Sequence, residues 1–253
     1  VTPAEASGRL RRMSLPEHPE RGRHYRYYDL LMAAFVAVLL CSNLIGPGKS
    51  SYVELFGRKL VFGAGNLFFP VSYVFGDVMT EVYGYARARK VIWAGFGAML
   101  FATLMSALIV ALPVNTAEPY SVSLQPALAL VFGNTGRVVA ASMLAFWAGD
   151  FANSYVLARM KVWTEGRLLW TRTIGSTLVG QGVDSLLFYP IAFGGLWTAD
   201  TLWQIVAFNW LFKVAIEVVM TPVTYLVVGW FKRQEHEDFY DTDTRFTPFS
   251  LKD

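Results

Sequence analysis

Six apolar runs, over residues 30–45, 67–83, 91–112, 138–157, 173–193 and 202–231, dominate the sequence. The hydrocarbon core of a bilayer is about 30 Å thick and takes about 20 helical residues to cross. Lipid offers the backbone no hydrogen-bond partners, so runs of this kind are expected to fold as helices. The sequence thus predicts an all-α integral membrane protein with six transmembrane helices. Gly63, Gly65, Pro70 and Gly76 interrupt the second run or its approach, and the run ends in the charged stretch Asp77, Glu81, Arg87. A bent, partly re-entrant or early-ending helix fits that pattern. The last run contains Lys213, Glu217 and Pro222 and predicts one long tilted or kinked helix rather than two short ones. Between the third and fourth runs, residues 126–132 are apolar but too short to span; they are expected on the outer interface or folded back.

The chain has 253 residues, enough for six or seven crossings and no separate soluble enzyme domain. Of these residues 54% are hydrophobic and only 16% charged, against about 25% charged in soluble domains. Cys41 stands alone, and His18, His24 and His236 all lie in the tails, so no Cys/His metal centre and no cofactor is expected. The first 28 residues are rich in Arg and Pro and lack the apolar stretch of a cleavable signal, so the first helix should be retained.

Three regions follow: a basic tail over 1–28, a transport domain over 29–232 and a polar, acidic, flexible tail over 233–253. Cations set the orientation. Arg9, Arg11, Arg12, Arg21, Arg23 and Arg26 precede the first run; Arg87, Arg89 and Lys90 follow the second; Arg159, Lys161, Arg167 and Arg172 follow the fourth; Lys232 and Arg233 follow the last. The other side carries Lys49, Arg58, Lys59 and Arg137, and the loop at 195–200 has no cation. The positive-inside rule then puts both termini in the cytoplasm. The basic tail is read as a topology signal touching anionic lipid, not as a nucleic-acid site.

Ionisable residues near a helix centre cost about 2.5–3.5 kcal/mol each on insertion scales, which makes them candidates for a cavity or a partner. Tyr73, Asp77 and Glu81 are spaced by four and share a helix face. Trp147, Asp150 and Asn153 share another, as do Gln181, Asp184 and Phe188, and then Asn209, Lys213 and Glu217; Asn43 adds a neutral amide. Polar faces on at least four helices are expected to converge on one central cavity. Lys213 could instead pair with Glu217 on its own helix, yet one lysine cannot neutralise Asp77, Glu81, Asp150, Asp184 and Glu217. Asp77 and Glu81, next to a basic loop, are expected at the water-facing rim, with Asp184, Gln181, Lys213 and Glu217 nearer mid-membrane. Carboxylates, amides and aromatic faces together suit a flat heterocycle with hydrogen-bonding edges.

Gly46-Pro47-Gly48-Lys49-Ser50 imitates the end of a phosphate-binding loop, but Asn43 stands where the first glycine is needed and a helix, not a strand, precedes it. No ATPase site is expected. An intramembrane enzyme would need a nucleophile and base or a metal constellation, which the apolar runs do not offer.

The stretch 75–85, Phe-Gly-Asp-Val-Met-Thr-Glu-Val-Tyr-Gly-Tyr, followed by Arg87-Ala88-Arg89-Lys90, resembles the hallmark segment of the bacterial queuosine precursor transporter family, also called the YhhQ or VUT family. Residues 172–176 leading to Gln181-Gly182-Val183-Asp184-Ser185-Leu186-Leu187-Phe188, and Lys213 with Glu217 before Thr221-Pro222, resemble it too. The resemblance runs from about Asp29 to Trp230. It implies an inner-membrane importer of 7-cyano-7-deazaguanine and 7-aminomethyl-7-deazaguanine, salvaged for the queuosine modification of tRNA. For such a substrate, Asp184 or Glu217 is expected to hold the guanine edge, Gln181, Asn43 and Asn153 to complete the hydrogen bonds, and an aromatic to cover the ring. The competing reading is a substrate-binding membrane subunit of an energy-coupling-factor-type importer with a separate ATPase module. The composition leaves room for a homo-oligomer.

Overall fold

A computed structural model describes residues 24–45, 50–55, 57–63, 68–133 and 136–250. The basic tail before residue 24 and most of the phosphate-loop mimic, residues 46–49, lie outside that set. The elements are α1 (Tyr28–Leu40), which continues into a π-helical turn (Cys41–Ile45), then β1 (Ser50–Leu55), β2 (Arg58–Gly63), α2 (Phe69–Tyr83), α3 (Tyr85–Ala111), α4 (Pro119–Phe132), α5 (Gly136–Trp163), α6 (Leu169–Phe193) and α7 (Ala199–Glu235). The helical class holds. Among the described residues the paired strands are an antiparallel hairpin in which Ser50 faces Gly63 and Leu55 faces Arg58, turned by Gly57 at φ +72°.

Each apolar run has become a helix, and the seventh helix, α4, is the short apolar stretch before α5, grown to 14 residues. The second run is an early-ending helix of 15 residues with Pro70 in its first turn, where a missing N–H is harmless. Gly84, at φ +85°, stops it and α3 starts at the next residue. The last run is a single helix of 37 residues that carries Pro222 in its interior.

Burial is inverted relative to a soluble protein. Phe101, Leu104 and Leu108 of α3 and Phe208, Leu211, Val219 and Leu226 of α7 face outward, more than half exposed, while Asp77, Thr80, Glu81, Arg89, Lys161, Arg172 and Glu217 are buried. Such an arrangement is stable where the surrounding solvent is lipid. Two helices, α3 and α7, are both long and apolar enough to cross a membrane, and the bent pair α4 and α5 together makes a third candidate.

The helix α2 is the most enclosed element: residues 78–83 are all at most 1% exposed. Val78, Met79, Val82 and Tyr83 pack with Leu31, Phe35 and Leu39 of α1 and Ala88, Val91 and Met99 of α3. The α5 and α6 backbones touch at two glycines. A Cβ on Gly180 would lie 2.7 Å from the Asn153 Cβ and 2.9 Å from the Gly149 carbonyl, and one on Gly149 would lie 3.0 Å from the Asp184 Cβ. This close approach sets Asp150 and Asn153 of α5 beside Gln181 and Asp184 of α6.

The acidic tail is a bound strap, contrary to the flexibility expected of its polar composition. The Phe239 N–H donates to the Val82 carbonyl at 3.2 Å. The Asp241 carboxylate accepts the Tyr85 N–H at 3.1 and 3.2 Å and so caps the start of α3 from a distance of 156 residues. Arg89 donates to the Thr247 carbonyl at 2.8 Å and Trp93 to the Pro248 carbonyl at 2.7 Å. Phe246 lies against Tyr85 and Tyr155, and Phe249 lies against Trp147.

Candidate transport cavity

A cavity of about 390 Å³ sits among α1, α2, α3, α5, α6 and α7, within the size range of small-molecule sites. Nine of the thirteen residues singled out in the sequence line it: Asn43, Tyr73, Asp150, Asn153, Gln181, Asp184, Phe188, Asn209 and Lys213. Their convergence follows from the i, i+3 and i+4 spacings that put each set on one helix face. The lining also takes in Ser42, Ser72, Thr103, Ser106, Ser142, Phe146 and Tyr189. The serines and threonine among them were missed because single hydroxyl residues in apolar helices give no periodic signal, and Phe146 and Tyr189 because an aromatic in an apolar run reads as core; Ser106 and Thr103, three apart on α3, were a hint.

Its charges are few. Lys213 donates to the Asp184 carboxylate across α6 and α7 in a close salt bridge, whereas the Glu217 oxygens, its partner in the alternative reading, have no hydrogen-bond partner among the described residues. Asp150 is the cavity's other carboxylate. Two of the amides are partly used up locally: Asn43 donates to the Leu39 carbonyl at 2.9 Å and accepts from Ser142 at 3.2 Å, and Asn209 donates to the Ile205 carbonyl at 3.0 Å. The Asn153 side-chain oxygen has no donor among the described residues, and such a buried acceptor is a standing demand for a hydrogen bond.

Four of the predicted residues lie outside the lining. Trp147 belongs to an aromatic cluster with Phe151 at 5.2 Å and Trp93 at 6.0 Å. Asp77 and Glu217 face neither water nor the cavity; at 1% and 0% exposure they are buried with their carboxyls beside each other, and Asn153 sits next to Asp77. Neither Glu217 oxygen meets a donor among the described residues.

Glu81 is not a rim residue either. It is fully buried and clamped bidentately by Arg172, at 2.8 Å from Nε and 2.7 Å from Nη2. The Lys232 ammonium joins at 2.6 Å and Lys161 at 3.5 Å. Lys161 and Lys232 also hold Asp238 of the strap, and Lys161 donates to the carbonyls of Glu81 and Phe239 at 2.6 and 2.8 Å. This knot ties α2, α5, α6, α7 and the tail together at one end of the bundle, the end marked by Gly84. Burial pushes the Asp238 carboxyl up, but the Lys161 and Lys232 ammoniums outweigh it and hold the group below the usual carboxylate range.

Residues 63–227 match the family described as "Putative vitamin uptake transporter". The chain belongs to this family. Over 188 residues, 74% of this chain and 78% of the relative, it is 36% identical to a Bacillus subtilis (strain 168) protein named "Probable queuosine precursor transporter". Over 181 residues, 70% of this chain and 76% of the relative, it is 27% identical to an Escherichia coli (strain K12) protein named "Queuosine precursor transporter". No solved structure matches the chain. The matched region spans the cavity-lining residues of α2, α5, α6 and α7 and the whole Glu81 knot except Lys232 and the strap. A family of membrane transporters agrees with apolar helices that expose their leucines and bury their charges.

Proposed function

We propose that this protein imports queuosine precursors, 7-cyano-7-deazaguanine and 7-aminomethyl-7-deazaguanine, across the bacterial inner membrane through the cavity described above. Six helices, α1, α2, α3, α5, α6 and α7, make the crossings, and both termini are cytoplasmic, in keeping with the cations gathered at the Gly84 end. The observation that carries the reading is the Asp184–Lys213 pair facing the cavity. A 7-deazaguanine presents a ring N–H and an exocyclic amine beside a carbonyl oxygen. A carboxylate accepts from the first two groups in bidentate fashion, and an ammonium donates to the third. Gln181 and the unpartnered oxygen of Asn153 supply further hydrogen bonds, and Phe188 or Tyr73 supplies an aromatic face. Glu217, buried away from the cavity, is not assigned to the guanine edge.

The cavity's lining on α6 runs from Thr177 to Tyr189 and reaches Phe132 of α4, and on α3 it runs from Ala88, near Gly84, to Ser106. With the termini inside, the Glu81 knot and the strap are the elements that close the cytoplasmic side in this reading. The test is uptake of labelled 7-cyano-7-deazaguanine into proteoliposomes holding only the purified chain, with and without an imposed proton gradient. Entry to equilibrium in both conditions identifies a facilitator, and accumulation driven by the gradient identifies proton coupling. Binding without entry favours an importer that needs an ATPase module, and no binding at all overturns the substrate.

A further inference from the structure

Asp150 differs from every other charged group in the bundle. It lines the cavity, where Asp184 and Lys213 are its charged neighbours, and it makes no hydrogen bond or salt bridge with a described residue. The groups around it account for themselves. From α6 comes Asp184 and from α7 comes Lys213, and these two are joined to each other. No charged side chain from α1, α2 or α3 lines the cavity; their polar contributions there are Ser42, Asn43, Ser72, Tyr73, Thr103 and Ser106. Two carboxyl groups, Asp150 and Asp184, thus share one ammonium, and Lys213 makes its salt bridge to Asp184, which leaves the Asp150 carboxyl without a hydrogen-bond donor among the described residues.

The glycine contact makes this placement deliberate in a physical sense. A Cβ added to Gly149, the residue before Asp150, would lie 3.0 Å from the Gly180 carbonyl oxygen, so the α5 backbone is packed closely on α6 and holds Asp150 at this place. A carboxyl group at this depth without a donor is costly to ionise, and a ligand that brings a positive charge with its own N–H donors removes that cost.

We propose that Asp150 reads a primary ammonium on the substrate, so that the transporter selects a cationic aminomethyl arm over an uncharged substituent at the same ring position. The inference rests on the proposed 7-deazaguanine substrate and adds a division of labour: Asp184 and Lys213 take the heterocycle's edge, and Asp150 takes the arm. The aminomethyl and cyano forms of the ring share the first set of contacts and differ only in the second.

The test is competition in proteoliposomes. Uptake of labelled 7-aminomethyl-7-deazaguanine by the unaltered chain is competed with its unlabelled self, with the 7-cyano compound, and with the 7-hydroxymethyl analogue, a neutral isostere of the amine. The amine is expected to compete better than either neutral compound by about tenfold or more, the usual advantage of a charge-assisted hydrogen bond over a neutral one. In Asp150→Asn this advantage falls toward parity, and in Asp150→Glu it is retained in part. Parity among the three compounds in the unaltered chain overturns the inference, even if neither variant folds. So does an Asp150→Asn variant that keeps the full preference. Entry of the nitrile without preference for the amine sinks this inference alone, whereas entry and competition by none of the three compounds sinks the 7-deazaguanine reading beneath it.

Discussion

The bundle holds two concentrations of charge, and they are built on opposite rules. In the knot at the Gly84 end, every charge has its partner: Glu81 meets Arg172, Lys161 and Lys232, and the two lysines meet Asp238. In and under the cavity the accounts do not close. Among the described residues Asp150 makes no hydrogen bond or salt bridge and the Asn153 oxygen lacks a donor, while Glu217 lies against the Asp77 carboxyl rather than a cation. A saturated site holds structure together, because breaking one of its pairs strands the others. An unsaturated one is poised for something that arrives from outside, since a buried polar group without a partner costs free energy until it is met.

The largest effect should come from the knot. Glu81→Ala strands Arg172, Lys161 and Lys232 in a buried setting and should cost about 3–5 kcal/mol, read as a large fall in the thermal midpoint in detergent. A midpoint near that of the unaltered chain would mean that the knot is not what holds the helices together.

The cavity should behave in the contrary way. Asp184→Ala leaves Lys213 in a partly open site, at 12% exposure, where water can reach it. We expect its thermal midpoint to move far less than that of Glu81→Ala while 7-deazaguanine uptake falls by about tenfold or more, the worth of a charge-assisted hydrogen bond. Uptake left intact would remove Asp184 from the substrate site.

A smaller effect tests the strap. A Cβ on Gly84 would sit 2.2 Å from the Phe239 ring, at a φ of +85°. Gly84→Ala should expel that ring and strain the backbone at a cost of about 1–2 kcal/mol. Limited proteolysis should then cut the tail near Phe239 faster than in the unaltered chain; an unchanged rate would show that the strap is anchored elsewhere.

The smallest effect is with pH. Because Asp238 is held below the usual carboxylate range, its contribution is complete above the ordinary value near about pH 4 and is lost only as pH falls through its own lower value. Tail proteolysis should therefore stay flat from about pH 8 down to about pH 5. Faster cutting between pH 7 and pH 6 would assign control of the strap to another group.

The sequence was most informative where physics is local. Runs of about 20 apolar residues foretold the helices, and four-residue spacings foretold that Asp150, Gln181, Asp184 and Lys213 would meet, because helix faces follow from position alone. Pairings across the fold were not legible. Glu81 and Arg172 are 91 residues apart, and nothing around Glu81 distinguishes a carboxylate about to be buried from one about to face water. The basic loop beside it, Arg87, Arg89 and Lys90, suggested the rim, but the cations that enclose it are Arg172, Lys161 and Lys232 from other helices. Composition misjudged the tail for a related reason. It is acidic and polar, yet Phe239, Tyr240, Phe246 and Phe249 recur through it, and those aromatics, with Asp238 and Asp241, are what dock.

The contact between Gly149 and Gly180 constrains how such a molecule moves. With backbone lying on backbone there are no interposed side chains whose rotamers could change to let one helix slide along the other. The helices α5 and α6 then act as a single stave, carrying Asp150 and Asp184 at a fixed separation. If the proposed import runs by alternating access, α2 and α7 are the elements that would swing about this stave. The knot, whose Arg172 and Lys161 ride on the stave while Glu81 and Lys232 do not, is the latch that such a swing has to open.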